Sequence, residues 1–307
     1  RACLFAVSVC VRYHSNQPSN TGKSMITGMP RVAIAVHDFD NILETFQQTL
    51  GLPAIDMSPG SVESLGAKLA MCVPEGGSNI ELMCPADANA PLSQSLSRFL
   101  DRRGEGLFAL MLEAPDPDAE AEVLLERGLN VLPLMEGAGG RDVHPNSTHG
   151  VLIRVYPTDS FVAPAGVDTS TSATTGLSGI ARAMLAVTDI EAAIHTYRDR
   201  FGLEVAEPRV DVERGVISAI CSPPSGGQIE LLAVQDADKP FARSLSNFLA
   251  EKKEGLYALV LETGDLQTTA RALQKRGMGV QTATDSQRAL ECPRAQTFGA
   301  LVRIEQR

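Results

Sequence analysis

From Met29 to Val36 the chain alternates loosely between apolar and polar residues and is rich in Val and Ile, which predicts a strand. Asp38 follows as a helix cap, and Ile42, Leu43, Phe46 and Leu50 recur at helical spacing until Gly51 stops the run. A short strand is predicted over Leu52–Met57. Two more, Ala67–Val73 and Asn79–Met83, are joined by the glycine turn of residues 74–78. A short helix over Pro91–Asp101 carries Leu92, Leu96, Phe99 and Leu100 on one face. The order then recurs, with strands over 107–113, 129–134, near 141–144 and over 150–155, and a helix over 117–127 ended by Gly128. Each half of this stretch therefore reads β-α-β-β-β.

The whole pattern occurs twice. SLSRFLDRRGEGLFALMLE at 95–113 returns as SLSNFLAEKKEGLYALVLE at 244–262, an offset of 149, and the same offset aligns GVLIRV (150–155) with GALVRI (299–304). RVAIAVHDFDNILETFQQTLGL at 31–52 returns as RAMLAVTDIEAAIHTYRDRFGL at 182–203, an offset of 151. A repeat this long is a domain rather than a solenoid unit. The expected organisation is an extension at 1–25, a first domain at 26–157, a linker at 158–177 rich in Ser, Thr and Ala, and a second domain at 178–307. The extension is expected to be disordered or processed; its apolar run, Ala2–Val11, is too short to span a bilayer.

Composition narrows the function more than the fold. A net charge of −10 with no basic run argues against nucleic acid as a partner, because phosphate neutralisation needs a basic face. None of the six cysteines forms a CxxC or zinc spacing. Cys72 and Cys221 fall at matching strand positions and read as core residues. These features point to a cytoplasmic protein with no membrane partner. The two copies are expected to pack as a pseudo-dimer within one chain, with a further homodimer left open.

The motifs carry a resemblance. RVAIAVHDFD and RAMLAVTDIE, IELMCP (80–85), FLDRRGEGLFA (99–109) with FLAEKKEGLYA (248–258), and VHPNSTHGVLIR (143–154) follow one another in the order seen in methylmalonyl-CoA epimerase. Each half of the chain thus resembles that family, and with it the vicinal-oxygen-chelate (glyoxalase, bleomycin resistance, dioxygenase) superfamily. The fold this implies is α+β, a tandem pair of glyoxalase-like domains whose four βαβββ modules form two cup-shaped mixed sheets. The resemblance also implies a divalent metal held by His, Glu or Gln, His and Glu on four strands. The matching positions here are Arg31, Glu81, Ala109 and Arg154 in copy one, and Arg182, Glu230, Ala258 and Arg303 in copy two. Arginine stays charged and has no lone pair to give a cation, so the expectation is no metal and no other cofactor.

Two readings of the Arg–Glu–Arg sets stand side by side. They are structural networks filling a cup that has lost its metal. Alternatively, two guanidinium forks replace the metal's charge, leave a surplus of positive charge, and bind a small anionic ligand. Phe108 and Tyr257, beside the lost second histidine, would wall that pocket. In epimerases a glutamate two residues before a glycine is the proton-transferring base. Copy two has it as Glu213 in VERGV, whereas copy one reads VESLG with Ser64 in its place. Three functions follow as expectations: a metal-independent isomerase or lyase acting on a small carboxylate or acyl-CoA, a non-catalytic binder of the antibiotic-sequestering kind, or a structural pseudoenzyme.

Overall fold

The computed structural model describes residues 24–135, 137–163 and 175–307. Nearly all of the extension and most of the linker lie outside the described residues. The first half holds β1 (Gly28–Ala35), α1 (Phe39–Glu44), β2 (Ala54–Asp56), α2 (Ser58–Leu65), β3 (Ala67–Cys72), β4 (Asn79–Pro85), α3 (Pro91–Arg103), β5 (Gly106–Ala114), α4 (Pro117–Glu126), β6 (Arg141–Val143) and β7 (Leu152–Pro157). The second holds β8 (Leu177–Ala186), α5 (Ile190–His195), β9 (Glu204–Val205), β10 (Arg209–Asp211), β11 (Val216–Ser222), β12 (Gln228–Val234), α6 (Pro240–Lys252), β13 (Gly255–Thr263), α7 (Leu266–Lys275), β14 (Gln281–Ala283), β15 (Ser286–Cys292) and β16 (Leu301–Gln306).

Each half is one open mixed sheet. The first runs β2-β3-β4-β1-β5-β7-β6 and the second β10-β11-β12-β8-β13-β16-β15-β14, with β9 on β11. At the centre of each sheet the opening strands of the two modules pair antiparallel, β1 with β5 and β8 with β13. Outside them the closing strands add in parallel, β4 on β1 and β7 on β5. This is the tandem α+β arrangement expected from the repeat.

Local chemistry sets the helix starts. Asp38 and Asp189 accept from backbone amides three residues on, and Asp116 and Asp265 do the same at α4 and α7. Both α1 and α5 end in a π-helical turn, Thr45–Thr49 and Thr196–Arg200. One sequence expectation is corrected. Residues 129–134 do not form a strand but keep one bridge, Val131 to Val143, because Pro133 and the glycines at 137, 139 and 140 interrupt pairing. Residues 58–65 form α2, whereas copy two builds β10 and a tight turn in the same interval.

One apolar core runs through both halves. It joins the sheet faces under α1, α4, α5 and α7, with Phe46, Tyr197 and Phe201 at its centre. Cys72 and Cys221 sit in it at the same register, opposite Ile80 and Ile229. The halves interlock through backbone as well. A Cβ on Gly150 would lie 2.1 Å from the Glu254 carbonyl oxygen, and one on Gly299 would lie 2.1 Å from that of Glu105. Both glycines also have positive φ, so no other residue fits either crossing without a backbone shift. The pair is related by the 149-residue offset, and the two domains form a pseudo-dimer within one chain.

The opposite face of each sheet lies chiefly under one helix, joined in the first half by α2. In the first half, Leu92, Leu96 and Leu100 of α3 cover Ala33, Ala35, Met83 and Met111. In the second, Phe241, Ala242 and Leu245 of α6 cover Met184, Ala186 and Leu232. The four positions at which the resemblance implies metal ligands lie on the neighbouring strands β4, β1, β5 and β7, and on β12, β8, β13 and β16.

Candidate functional site

In the first cup the Arg31 Nε stands 3.1 Å from Glu81 Oε2, both side chains buried. The angle is poor enough that neither atom has a hydrogen-bond partner there. Arg154 is held two-pronged by Asp142, Nε and Nη2 each 2.6 Å from a carboxylate oxygen. Asp142 on β6 lies directly opposite Arg154 on β7, which places this partner. The Tyr156 ring lies 4.3 Å from the Arg31 guanidinium carbon and 5.6 Å from that of Arg154, so the two arginines converge on one aromatic side chain. Burial works against the Arg31 cation, and Glu81 and the Tyr156 phenol outweigh it, leaving its pKa above the ordinary value. Beside Arg154 and Tyr156 lies a pocket of about 20 Å³, lined by Phe108, Met111, Met135 and Leu152 among others. Phe108 packs edge-on against Phe99 of α3 at 5.1 Å. This cup is filled.

The second cup keeps the same core contact, Arg182 Nε to Glu230 Oε2 at 3.3 Å, again without an aligned hydrogen bond. Around it the chemistry differs. Glu305 stands where copy one has Tyr156; one of its oxygens takes Arg182 Nη2 at 2.5 Å and the other takes Arg303 Nε at 2.8 Å. Arg303 is further clamped by Asp285 at 2.8 and 3.0 Å and by Glu291 at 3.2 Å. Arg214 donates to Glu230 and to Asp211, both at 2.7 Å. The result is a cavity of about 570 Å³, walled by Arg182, Glu213, Glu230, Arg288, Arg303 and Glu305 among others. Burial raises the Glu291 pKa despite Arg303. For Glu305 the order reverses: burial is outweighed by Arg182 and Arg303, and its pKa falls below the usual carboxylate range. Asp211 is likewise lowered, its burial outweighed by Arg214.

The structure thus brings Arg31, Glu81 and Arg154 into one cup, and Arg182, Glu230 and Arg303 into the other. Glu213 lies on the second cavity's wall with an exposed carboxylate. Tyr257 lies apart from that cavity, buried against Phe241 and Phe248 with its hydroxyl on Ser244. One expectation is corrected outright: there is no surplus of positive charge. Asp142 balances the first cup, and Asp211, Asp285, Glu291 and Glu305 outnumber the added arginines in the second. Sequence reasoning missed these carboxylates and Arg214. Asp142 and Glu291 were within reach, since both stand on the strand paired with the final arginine strand.

The donor chemistry does not fit a divalent ion. Two of the four positions in each cup are arginine and one is alanine, and among the described residues no cluster of three His, Cys, Asp or Glu side chains is arranged to hold one. No helix among the described residues is long and apolar enough to cross a membrane.

Comparison with known proteins places this geometry. The profile of the Glyoxalase/Bleomycin resistance protein/Dioxygenase superfamily matches residues 31–144 and again 183–292. Among solved structures, a mutant 4-hydroxymandelate synthase from Streptomyces coelicolor superposes with a TM-score of 0.67 at 12% identity, over 92% of this chain and 93% of that one. A xylose isomerase-like TIM barrel/4-hydroxyphenylpyruvate dioxygenase fusion protein gives a TM-score of 0.63 at 14% identity, over 93% of this chain and 50% of that one. Methylmalonyl-CoA epimerase from Mycobacterium tuberculosis is 24% identical over 43% of this chain and 90% of its own, with a TM-score of 0.37. A search of curated proteins finds no match. With both repeats matched, the chain belongs to the Glyoxalase/Bleomycin resistance protein/Dioxygenase superfamily, as a tandem pair of its domains.

Proposed function

We propose that this protein binds a small polar carboxylate in its second cup without a divalent ion, and that the first cup serves as its structural partner. The observation that carries the reading is the cavity of about 570 Å³ beside Arg182, Glu230 and Arg303, whereas the pocket beside Arg154 and Tyr156 in copy one holds about 20 Å³. The larger value suits a small-molecule pocket. Within it, Arg182 keeps 22% of its side chain exposed, and Arg288 has no side-chain partner among the described residues. Arg288 is the lining cation without an acidic partner, and Arg182, though paired with Glu230 and Glu305, is more exposed at its side chain than Arg303 or Arg214, which are also held by acidic neighbours. The surrounding carboxylates favour a ligand that also carries hydroxyl or ammonium donors. That is a narrower class than the anion expected from charge surplus.

A second reading is catalytic. Glu213 opens onto the same cavity, so a base for α-proton transfer on a carboxylate or acyl-CoA thioester is in reach of a bound ligand. Calorimetric titration with hydroxy acids, amino acids and acyl-CoAs separates the cases. The binding reading expects one site per chain, weakened about tenfold or more by Arg182→Gln or Arg288→Gln. Saturable binding that ignores both substitutions, or no binding across the panel, overturns it. Deuterium exchange at the ligand α-carbon that is lost in Glu213→Gln would establish the catalytic reading. Its absence leaves a sequestering binder.

A further inference from the structure

Between the halves lies a second cavity, about 650 Å³, that shares no lining residue with the second cup. Its walls come from the ends of α3, α5 and α6 and from the turn after β6. Four permanent cations face it: Arg103, Arg200, Lys252 and Lys253. Glu254 is its only lining carboxylate, and that group is already engaged by Thr188 and His149. Lys252 is paired with Glu251 at 3.3 Å, and His195 with Asp199 at 2.7 Å. Arg103, Arg200 and Lys253 have no carboxylate partner among the described residues. In a chain of net charge −10, three uncompensated cations on one cavity need a reason.

The repeat supplies a control. At the offsets that align the copies, Arg200 corresponds to Thr49, Lys253 to Gly104, His149 to Phe298 and His195 to Glu44. At the same offset Arg103 and Lys252 exchange with each other and Pro145 with Arg294, so the pseudo-equivalent place keeps three cations, and what sets this cleft apart is the addition of Arg200 and Lys253. The backbone gives independent support. Lys253 adopts φ 62° and ψ −164°, matching Gly104 at φ 71° and ψ −172°. This region is occupied almost only by glycine, and copy one uses glycine there. Copy two instead holds a lysine in a strained conformation at the cavity wall. Burial also lowers the Arg103 pKa, as expected of a half-buried guanidinium that no carboxylate offsets.

We propose that this interdomain cleft is a binding site for a small anion bearing a phosphate or pyrophosphate group. Three cations call for a ligand of charge −2 or more, and a carboxylate brings only one. Arginine and lysine offer donors alone, which suits an oxygen-rich anion with no donors of its own. The site is independent of the ligand in the second cup, so either reading can fail without the other.

The test is calorimetric titration of the full chain with sodium pyrophosphate at low salt, repeated with ADP. Pyrophosphate is expected to bind once per chain and to weaken as salt rises. Lys253→Gly and Arg200→Gln should each weaken it about tenfold, and Arg271→Gln, which removes a like charge elsewhere, by less than about twofold. Because Lys253→Gly relieves backbone strain, it should melt no lower than the parent chain, so loss of affinity cannot be ascribed to misfolding. Tighter binding of ADP than pyrophosphate would identify a nucleotide source, and equal binding a free oligophosphate. No binding at millimolar pyrophosphate, or affinity unchanged in both cleft variants, overturns the proposal.

Discussion

The two cups share a backbone, a helix lid and an Arg–Glu contact, yet one is filled and the other holds a cavity. A few positions account for much of the difference. Tyr156 lies over two arginines in the first, while Glu305 bridges two arginines in the second. In the first, α2 brings Met57 and Leu65 against the cup; in the second, the turn after β10 brings Arg214 and Glu213 to the cavity. An aromatic ring occupies volume and leaves nothing to solvate. A carboxylate in its place draws arginines to the wall and leaves space for water or a ligand. The lesson is that one shared contact does not set a single outcome. The same Arg–Glu pair ends as packing in one copy and as the floor of a polar cavity in the other.

The comparison can be broken most severely in the first cup. Asp142→Ala leaves Arg154, 7% exposed at its side chain, without its two-pronged partner. An uncompensated buried charge of this kind costs about 3–5 kcal/mol. Chemical denaturation should show that loss. Glu291→Ala, its counterpart in copy two, should cost well under half as much, because Asp285 and Glu305 still hold Arg303. Equal losses in the two variants would mean that the cups are packed alike.

Acid sharpens the same contrast. Glu305 has a lowered pKa in the folded chain, so its ion pairs stabilise fully above its unfolded value near 4.5 and are lost as pH falls through the lower folded value. Glu305→Gln is expected to remove about 1–2 kcal/mol at neutral pH and to lessen the loss of stability below about pH 4.5. Melting temperatures from pH 7 down to pH 3 check both parts. A variant whose acid profile matches the parent would show that Glu305 is not the group responsible.

Much of this architecture was legible before any coordinates. Periodicity and the repeat located the central strands, α1, α3 and their copies, because buried alternation and helical spacing are local signals. Failures fall where the signal is not local. SPGSVESL at 58–65 contains Pro, Gly and three serines, and becomes α2 only because the sheet edge and α3 shelter it. The cup arginines were found by analogy with metal ligands, but their true counter-charges were not. Asp285 and Glu305 reach Arg303 across a hairpin and along a strand, and no spacing rule for ligands points to them. Glu213 drew notice, while its neighbour Arg214 makes the contact with Glu230, since alternation past the tight turn decides which of the two faces inward.

The smallest effect isolates a single backbone position that differs between the halves. Gly104 and Lys253 end α3 and α6 with nearly the same dihedral angles. A Cβ on Gly104 would meet nothing within 4 Å, so Gly104→Lys adds no clash and tests conformational strain alone. The expected cost is about 1 kcal/mol, at the low end for a non-glycine residue in this region. Lys253→Gly should return a similar amount, less the entropy that glycine loses on folding. Opposite shifts in melting temperature, measured for the two variants in the same buffer, are the expected result. If Gly104→Lys is neutral, the conformation is tolerated at this kind of helix end. The strain at Lys253 would then no longer set it apart from its copy, and the case for the interdomain cleft would rest on its charges alone.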